Sequence, residues 1–165
     1  MNVRIFMRLY CIQHGESLAK EIDPERRLTQ QGEQDVQKLA GFLKRGGMPV
    51  SAILHSGKTR ARQTAEILAE ALLPDGKVAA IGGIDPNDPV EPFAAKLAQL
   101  GTDTMIVGHL PFMAKLVAHL LTGRTEPSLV VYQPGTVICL EQDEHQRWQV
   151  QWMIRPDCVV ELPRE

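Results

Sequence analysis

The chain has 165 residues, 44% of them hydrophobic, and its 18 Lys and Arg against 20 Asp and Glu give a formal net charge of -2. That is enough apolar material to bury one domain spanning residues 1–165, and it is too close to neutrality for a polybasic surface that would bind nucleic acid or an anionic membrane. Cys11, Cys139 and Cys158 stand alone without disulfide or metal-ligand spacing. Together with Arg4 and Arg8 interrupting the apolar N-terminus, this predicts a soluble cytoplasmic protein with reduced thiols.

Residues 1–6 read as a short extension without identifiable chemistry. Leu9 to Ile12 predict a buried strand that runs into Gln13, His14, Gly15, Glu16 and Ser17. A histidine is thus presented at a strand exit by a glycine turn. Leu18 to Arg27, charged and containing Pro24, predicts an exposed loop beside His14. A helix then starts at Thr29, whose hydroxyl suits an N-cap, with Val36, Leu39, Ala40 and Leu43 at helical spacing and Gly46-Gly47 as its stop.

Ala52 to Leu54 predict a second strand, with His55-Ser56-Gly57 as its exit turn. A helix from Lys58 to Leu73 follows, with Ala61, Ala65, Leu68 and Leu72 as its core stripe. Val78 to Ile81 predict a third strand. The loop Gly82 to Pro92 carries Asp85, Asp88 and Glu91, residue types that also dominate ordinary turns. Phe93 to Leu100 predict a short helix, and Thr104 to Val107 a fourth strand leading into Gly108-His109. Pro111 opens another helix, buried through Phe112, Leu116, Val117 and Leu120 and ended by Gly123. Arg124 to Pro134 has no assignable state. Val137 to Leu140 and the alternation Trp148, Val150, Trp152, Ile154 predict a closing antiparallel hairpin.

Strands alternating with helices imply an α/β three-layer sandwich, its mostly parallel central sheet flanked by helices, with ligands at the carboxyl ends of the strands. Gln13-His14-Gly15, His55-Ser56 with Arg60, and Gly108-His109 would then share one edge. Two histidines and an arginine suit phosphoryl chemistry, because imidazole attacks phosphorus well and cations neutralise the equatorial oxygens. They also suit metal or simple anion binding, although no converging carboxylates at metal spacing accompany them. Arg60 and Arg62 point about 200° apart on a helix. Lys58, Arg62 and Glu66 form a solvated stripe, which leaves Arg60 facing inward near the helix N-terminus. Ser56 reads as a helix cap, Cys11 as a core residue, and His55, His119 and His145 as outside the constellation.

Leu9-Tyr10-Cys11-Ile12-Gln13-His14-Gly15, Leu28-Thr29-Gln30-Gln31-Gly32, Ser56 to Thr64, and Val107-Gly108-His109-Leu110-Pro111 together resemble the histidine phosphatase superfamily. The small size and final hairpin look most like its phosphohistidine phosphatase, SixA-like branch. The resemblance implies the phosphoglycerate mutase-like fold, with His14 as the phosphorylated nucleophile and Arg60 and His109 holding the phosphoryl oxygens. Gln13, Gly15, Ser17 and Lys20 complete the expected phosphate-binding surroundings, and Asp85 or Asp88 is a candidate acid or substrate contact. It further implies no metal and no organic cofactor, a phosphohistidine-containing protein or small phosphorylated molecule as substrate, and inorganic phosphate as product.

This chain departs from the family pattern at Gln13, which stands where Arg-His-Gly would place the first clamping arginine. Glutamine donates from its amide but has neither charge nor guanidinium fork. Loss of one such stabiliser typically costs about 2.7–4 kcal/mol. Lys20, Arg26 or Arg27 could compensate from the neighbouring loop. Two alternatives to a phosphohistidine phosphatase stay open, a phosphate or phosphoprotein binding module with little turnover and a small-molecule phosphomonoesterase.

Overall fold

Six strands form one sheet in the order β3-β2-β4-β1-β5-β6 in a computed structural model that describes residues 6–97 and 99–160. The strands are β1 (Arg8–Gln13), β2 (Ala52–His55), β3 (Lys77–Ala80), β4 (Thr104–Gly108), β5 (Val137–Gln142) and β6 (Trp148–Ile154). β1, β2, β3 and β4 are mutually parallel, and β5 and β6 are antiparallel additions beside β1. All but the last residue of the proposed N-terminal extension lies outside the described residues.

The side-chain alternation of β1 explains the layers. Leu9 and Cys11 face a core made with α3 (Val90–Leu97) and α4 (Phe112–Thr122). Tyr10 and Ile12 face the opposite core, made with α1 (Gln30–Arg45) and α2 (Thr59–Leu72). A strand buried on both faces needs a continuous apolar run, which Leu-Tyr-Cys-Ile supplies. The expected three-layer α/β sandwich is therefore present.

Thr29 caps α1 by accepting the Gly32 N–H at 2.9 Å, an interaction typically worth about 1 kcal/mol. Gly32 itself is a close-approach residue, because an added Cβ would collide with the Glu16 carbonyl. α3 begins at Val90 and ends at Leu97, earlier at both ends than the expected Phe93 to Leu100, because Val90 is buried and joins Phe93 and Leu97 on its core face.

The closing hairpin exists, but its alternation does not define one face. A register shift between Cys139 and Leu140 pairs Cys139 with Trp152 and Leu140 with Val150, leaving Gln151 as the extra residue. Trp152 and Ile154 consequently pack against the core of α1 and α2, whereas Trp148 packs against that of α3 and α4. A bulge of this kind reverses the side-chain phase of a strand.

The unassigned segment 124–134 has a definite task at its end. Tyr132 donates its hydroxyl to the Cys11 carbonyl at 3.1 Å, and Gly135 N–H reaches the Gln13 and His14 carbonyls at 3.1 and 3.2 Å. These bonds satisfy the exit of β1 beyond its ladder and fix where His14 begins. Among the described residues no helix is long and apolar enough to cross a membrane.

Candidate active site

The parallel strands β1, β2 and β4 end at the same edge, and a cleft of about 420 Å³ opens there. Its walls include Gln13, His14, Ser17, Arg26, Arg60 and His109, with Glu16, Pro86, Leu110 and Pro134 around them. His14 and His109 lie with ring centroids 5.0 Å apart.

His14 is oriented by its own turn. Its Nδ1 lies 2.7 Å from the Gly15 carbonyl, which can only accept, so Nδ1 carries the proton and Nε2 presents a lone pair. Arg60 Nε donates to that Nε2 at 3.2 Å. Burial pushes the His14 pKa down to about 4, with the Arg60 and Arg26 charges adding to the effect. The imidazole is therefore neutral and nucleophilic at neutral pH. Burial likewise pushes His109 down to about 3, assisted by the positive surroundings of His14, Arg60, Lys58 and Arg26. Its Nε2 lies 2.6 Å from Ser56 Oγ, and its Nδ1 is buried without a partner among the described residues.

α2 fastens this geometry through one face. Arg60 reaches His14, Gln63 Oε1 accepts the Leu28 N–H at 2.8 Å, and Thr64 Oγ1 accepts the Gly15 N–H at 3.0 Å. Thr64 also donates to the Arg60 carbonyl at 2.8 Å. Positions i, i+3 and i+4 share a helix face, which is why one short motif holds both ends of the adjoining loop, His14 and Gly15 at one and Leu28 at the other. Arg62 points away, paired with Glu66 at 3.9 Å on the surface, as its spacing implies.

The loop 18–27 is not simply an exposed stretch. Ser17 and Leu28 bridge its ends, and the buried Asp23 carboxylate accepts the Glu25 and Arg27 N–H groups at 3.1 and 3.0 Å. Arg26, at a left-handed φ of 52°, turns back over the cleft, donating to the Leu18 carbonyl at 3.2 Å and to Ser17 Oγ at 3.3 Å. A second guanidinium thus enters the site from a place distant in sequence from Gln13.

Several expected contacts differ. Lys20 is exposed and does not line the cleft, because the turn directs Arg26 there instead. Gly15 has its N–H committed to Thr64, so it orients His14 and is not free to bind phosphate; its missing Cβ avoids Val36 at 2.9 Å. Asp85 pairs with Lys58 at 3.5 Å, and Asp88 accepts the Asp85 N–H at 2.9 Å, so both carboxylates are engaged outside the cleft lining. Ser17 and Gln13 do line it, and the Gln13 Oε1 is buried without a partner among the described residues. His55 accepts the Gly57 N–H at 3.1 Å behind the site. Ser56 and Glu16 were not expected. Glu16 accepts the Thr29 hydroxyl at 2.7 Å, and only its place two residues after the strand-exit histidine hinted at this. Among the described residues no group of three or more His, Cys, Asp or Glu side chains converges as metal ligands.

A neutral histidine at the carboxyl edge of a parallel sheet, flanked by two guanidiniums and a second neutral histidine, defines a site suited to accept a phosphoryl group. The chain belongs to the histidine phosphatase superfamily, whose members are phosphatases, and the branch 1 family model matches residues 9–78. It is 25% identical over 155 residues to phosphohistidine phosphatase SixA of Escherichia coli, covering 91% of this chain and 94% of that protein. It is 32% identical over 139 residues to an uncharacterized protein of Picosynechococcus, covering 79% of this chain and 83% of the relative. The fold superposes on that of the protein histidine phosphatase SixA complexed with tungstate with a TM-score of 0.80 at 24% identity, over 92% of this chain and 98% of that one. These similarities place it in the SixA-like branch.

Proposed function

We propose that this protein is a phosphohistidine phosphatase acting on a phosphoprotein, with His14 as the nucleophile. The observation that carries this reading is the His14 ring, neutral and with its Nε2 lone pair directed at Arg60. In the first step Nε2 attacks phosphorus, an N–P bond forms, and the bond from phosphorus to the substrate nitrogen breaks. The departing imidazole retains the electron pair and takes a proton from water or is already protonated. In the second step water attacks phosphorus, the His14 N–P bond breaks with its pair returning to Nε2, and inorganic phosphate leaves. Arg60, Arg26 and His109 hold the phosphoryl oxygens throughout.

The direction of the carboxylates supports a nitrogen leaving group. An alkyl ester needs an acid at the leaving oxygen, whereas the candidates Asp85 and Asp88 are occupied in contacts outside the cleft. Arg26 bears on the alternative of a binding module without turnover. That alternative follows from Gln13 alone, and a guanidinium from the loop restores a second cation to the pocket.

Rates on a phosphohistidine protein and on an aryl phosphate, compared between the native chain and His14→Ala, test the reading. The nitrogen-linked substrate is expected to be the faster one, and His14→Ala to abolish turnover of both. Protein quenched in alkaline denaturant should carry acid-labile, base-stable phosphate on His14. Equal rates for the native chain and His14→Ala would refute catalysis by this residue, and phosphate binding without hydrolysis would establish the binding module.

A further inference from the structure

Ser56 lies between β2 and α2, at the turn behind the cleft. Its Oγ is 2.6 Å from His109 Nε2 and accepts the Lys58 N–H at 3.3 Å. The other nitrogen of the same ring, His109 Nδ1, is buried and has no partner among the described residues, in a residue that lines the cleft and is only 1% exposed. Capping of α2, the role its sequence position suggested, does not account for the shorter of these contacts. The residue preceding that helix is Lys58, and it makes no side-chain capping bond.

We propose that Ser56 is a positioning residue that holds His109 in its Nδ1–H tautomer, so that a neutral imidazole presents an N–H donor to the phosphoryl oxygens. This rests on the reading of the cleft as a phosphoryl-transfer site. A serine hydroxyl has one proton to give and two lone pairs to offer. One lone pair takes the Lys58 N–H, and the contact to His109 can run in either direction. If Nε2–H donated to Ser56, the oxygen would accept twice and its proton would find no acceptor among the contacts of the described residues. His109 would then leave a bare, buried Nδ1 lone pair beside the cleft, where it could only repel phosphoryl oxygens. If Ser56 O–H donates to Nε2, its proton is used and only one oxygen lone pair stays open, and Nδ1–H is the ring donor left for an arriving anion.

Electrostatics leaves the tautomer as the deciding variable. Burial first, and then the charges of Arg60, Lys58 and Arg26, oppose a positive charge on His109, so the ring of the unliganded protein is neutral near pH 7. His14 is the counterpart. Its Nδ1–H is spent on the Gly15 carbonyl, and its Nε2 lone pair meets the Arg60 Nε–H, both residues lining the cleft. Two neutral imidazoles with the proton on the same nitrogen therefore offer opposite edges to one ligand, one as nucleophile and one as donor. No proton moves in the role given to Ser56.

The test combines ¹⁵N spectra of the histidine side chains near neutral pH with steady-state kinetics on a phosphohistidine protein, for the native chain, Ser56→Ala and Ser56→Thr. The native His109 is expected to show a protonated Nδ1 and a bare, hydrogen-bonded Nε2. Ser56→Ala should shift it toward a tautomer mixture and lower kcat about tenfold with little change in KM, far less than the ~10⁴-fold cost of a reversed active-site tautomer. Ser56→Thr, which keeps the hydroxyl, should restore both signals. A native Nε2–H tautomer overturns the proposal, as does a Ser56→Ala protein with unaltered kcat, and the native spectrum decides even if Ser56→Ala does not fold. An inactive native protein that shows the Nδ1–H tautomer would instead overturn the phosphatase reading and leave the hydrogen-bond assignment standing.

Discussion

Gln13 ends β1, only 9% exposed, and its Oε1 has no partner among the described residues. Arginine there would add a guanidinium fork, but Arg26 already brings one from the loop. The two positions are therefore expected to compensate for each other. Arg26→Ala should lower kcat/KM about a hundredfold, at the lower end of what loss of one oxyanion-binding group costs. Gln13→Arg should raise the native kcat/KM by only about tenfold and recover most of the Arg26→Ala loss, since either guanidinium can meet the same charge. Steady-state kinetics of the two single variants and the double variant measure the coupling. Strict additivity would mean that the two cations serve different parts of the substrate. That Gln13 replaces an arginine was legible from the motif. That Arg26, and neither Lys20 nor Arg27, lies over the site was not, because the choice depends on a left-handed residue after a turn closed by Asp23.

At the scale of the element, α2 is the part that converts a motif into a site. Its sequence spacing shows that Arg60, Gln63 and Thr64 share a face, but spacing says nothing about what that face meets. The structure places the Gly15 N–H and Leu28 N–H there, two backbone donors at the two ends of the loop that precedes α1. Thr64→Val, nearly the same in shape, would leave the Gly15 N–H buried without an acceptor. It should cost about 1–3 kcal/mol by urea denaturation. It should also lower kcat by more than it raises KM, because the Gly15 carbonyl that orients His14 loses its anchor. A loss of stability with intact kcat would show that Thr64 supports the fold without tuning the nucleophile.

For the whole molecule, the depressed histidines link the site to stability. His14 and His109 fall from 6.5 to about 4 and about 3, chiefly through burial. The unfolded chain takes up protons near pH 6.5, where the folded chain does not. Stability from these two groups is therefore complete above 6.5 and is lost as pH falls through that value toward 4 and 3. Urea midpoints should be flat above pH 6.5 in this respect and decline below it, less steeply in His109→Gln. The acid limb of kcat/KM, which reports the free enzyme, should meanwhile lie near pH 4 and well below the ordinary histidine value. An acid limb at 6.5 would mean that His14 is hydrated in solution.

The sequence by itself determined the three-layer α/β architecture, because doubly buried strands need continuous apolar runs and the helices between them carry single apolar stripes. It also determined that His14, Arg60 and His109 meet, since parallel strands bring their carboxyl ends to one edge. Tertiary structure alone decided the phase of β6 after its bulge, the commitment of the Gly15 N–H to Thr64, the withdrawal of Asp85 and Asp88 into ion pairing and turn bonds, and the arrival of Arg26. Each of these turns on which partner satisfies a hydrogen bond or a charge across distant parts of the chain. Periodicity records burial along the chain, and it carries no information about that choice.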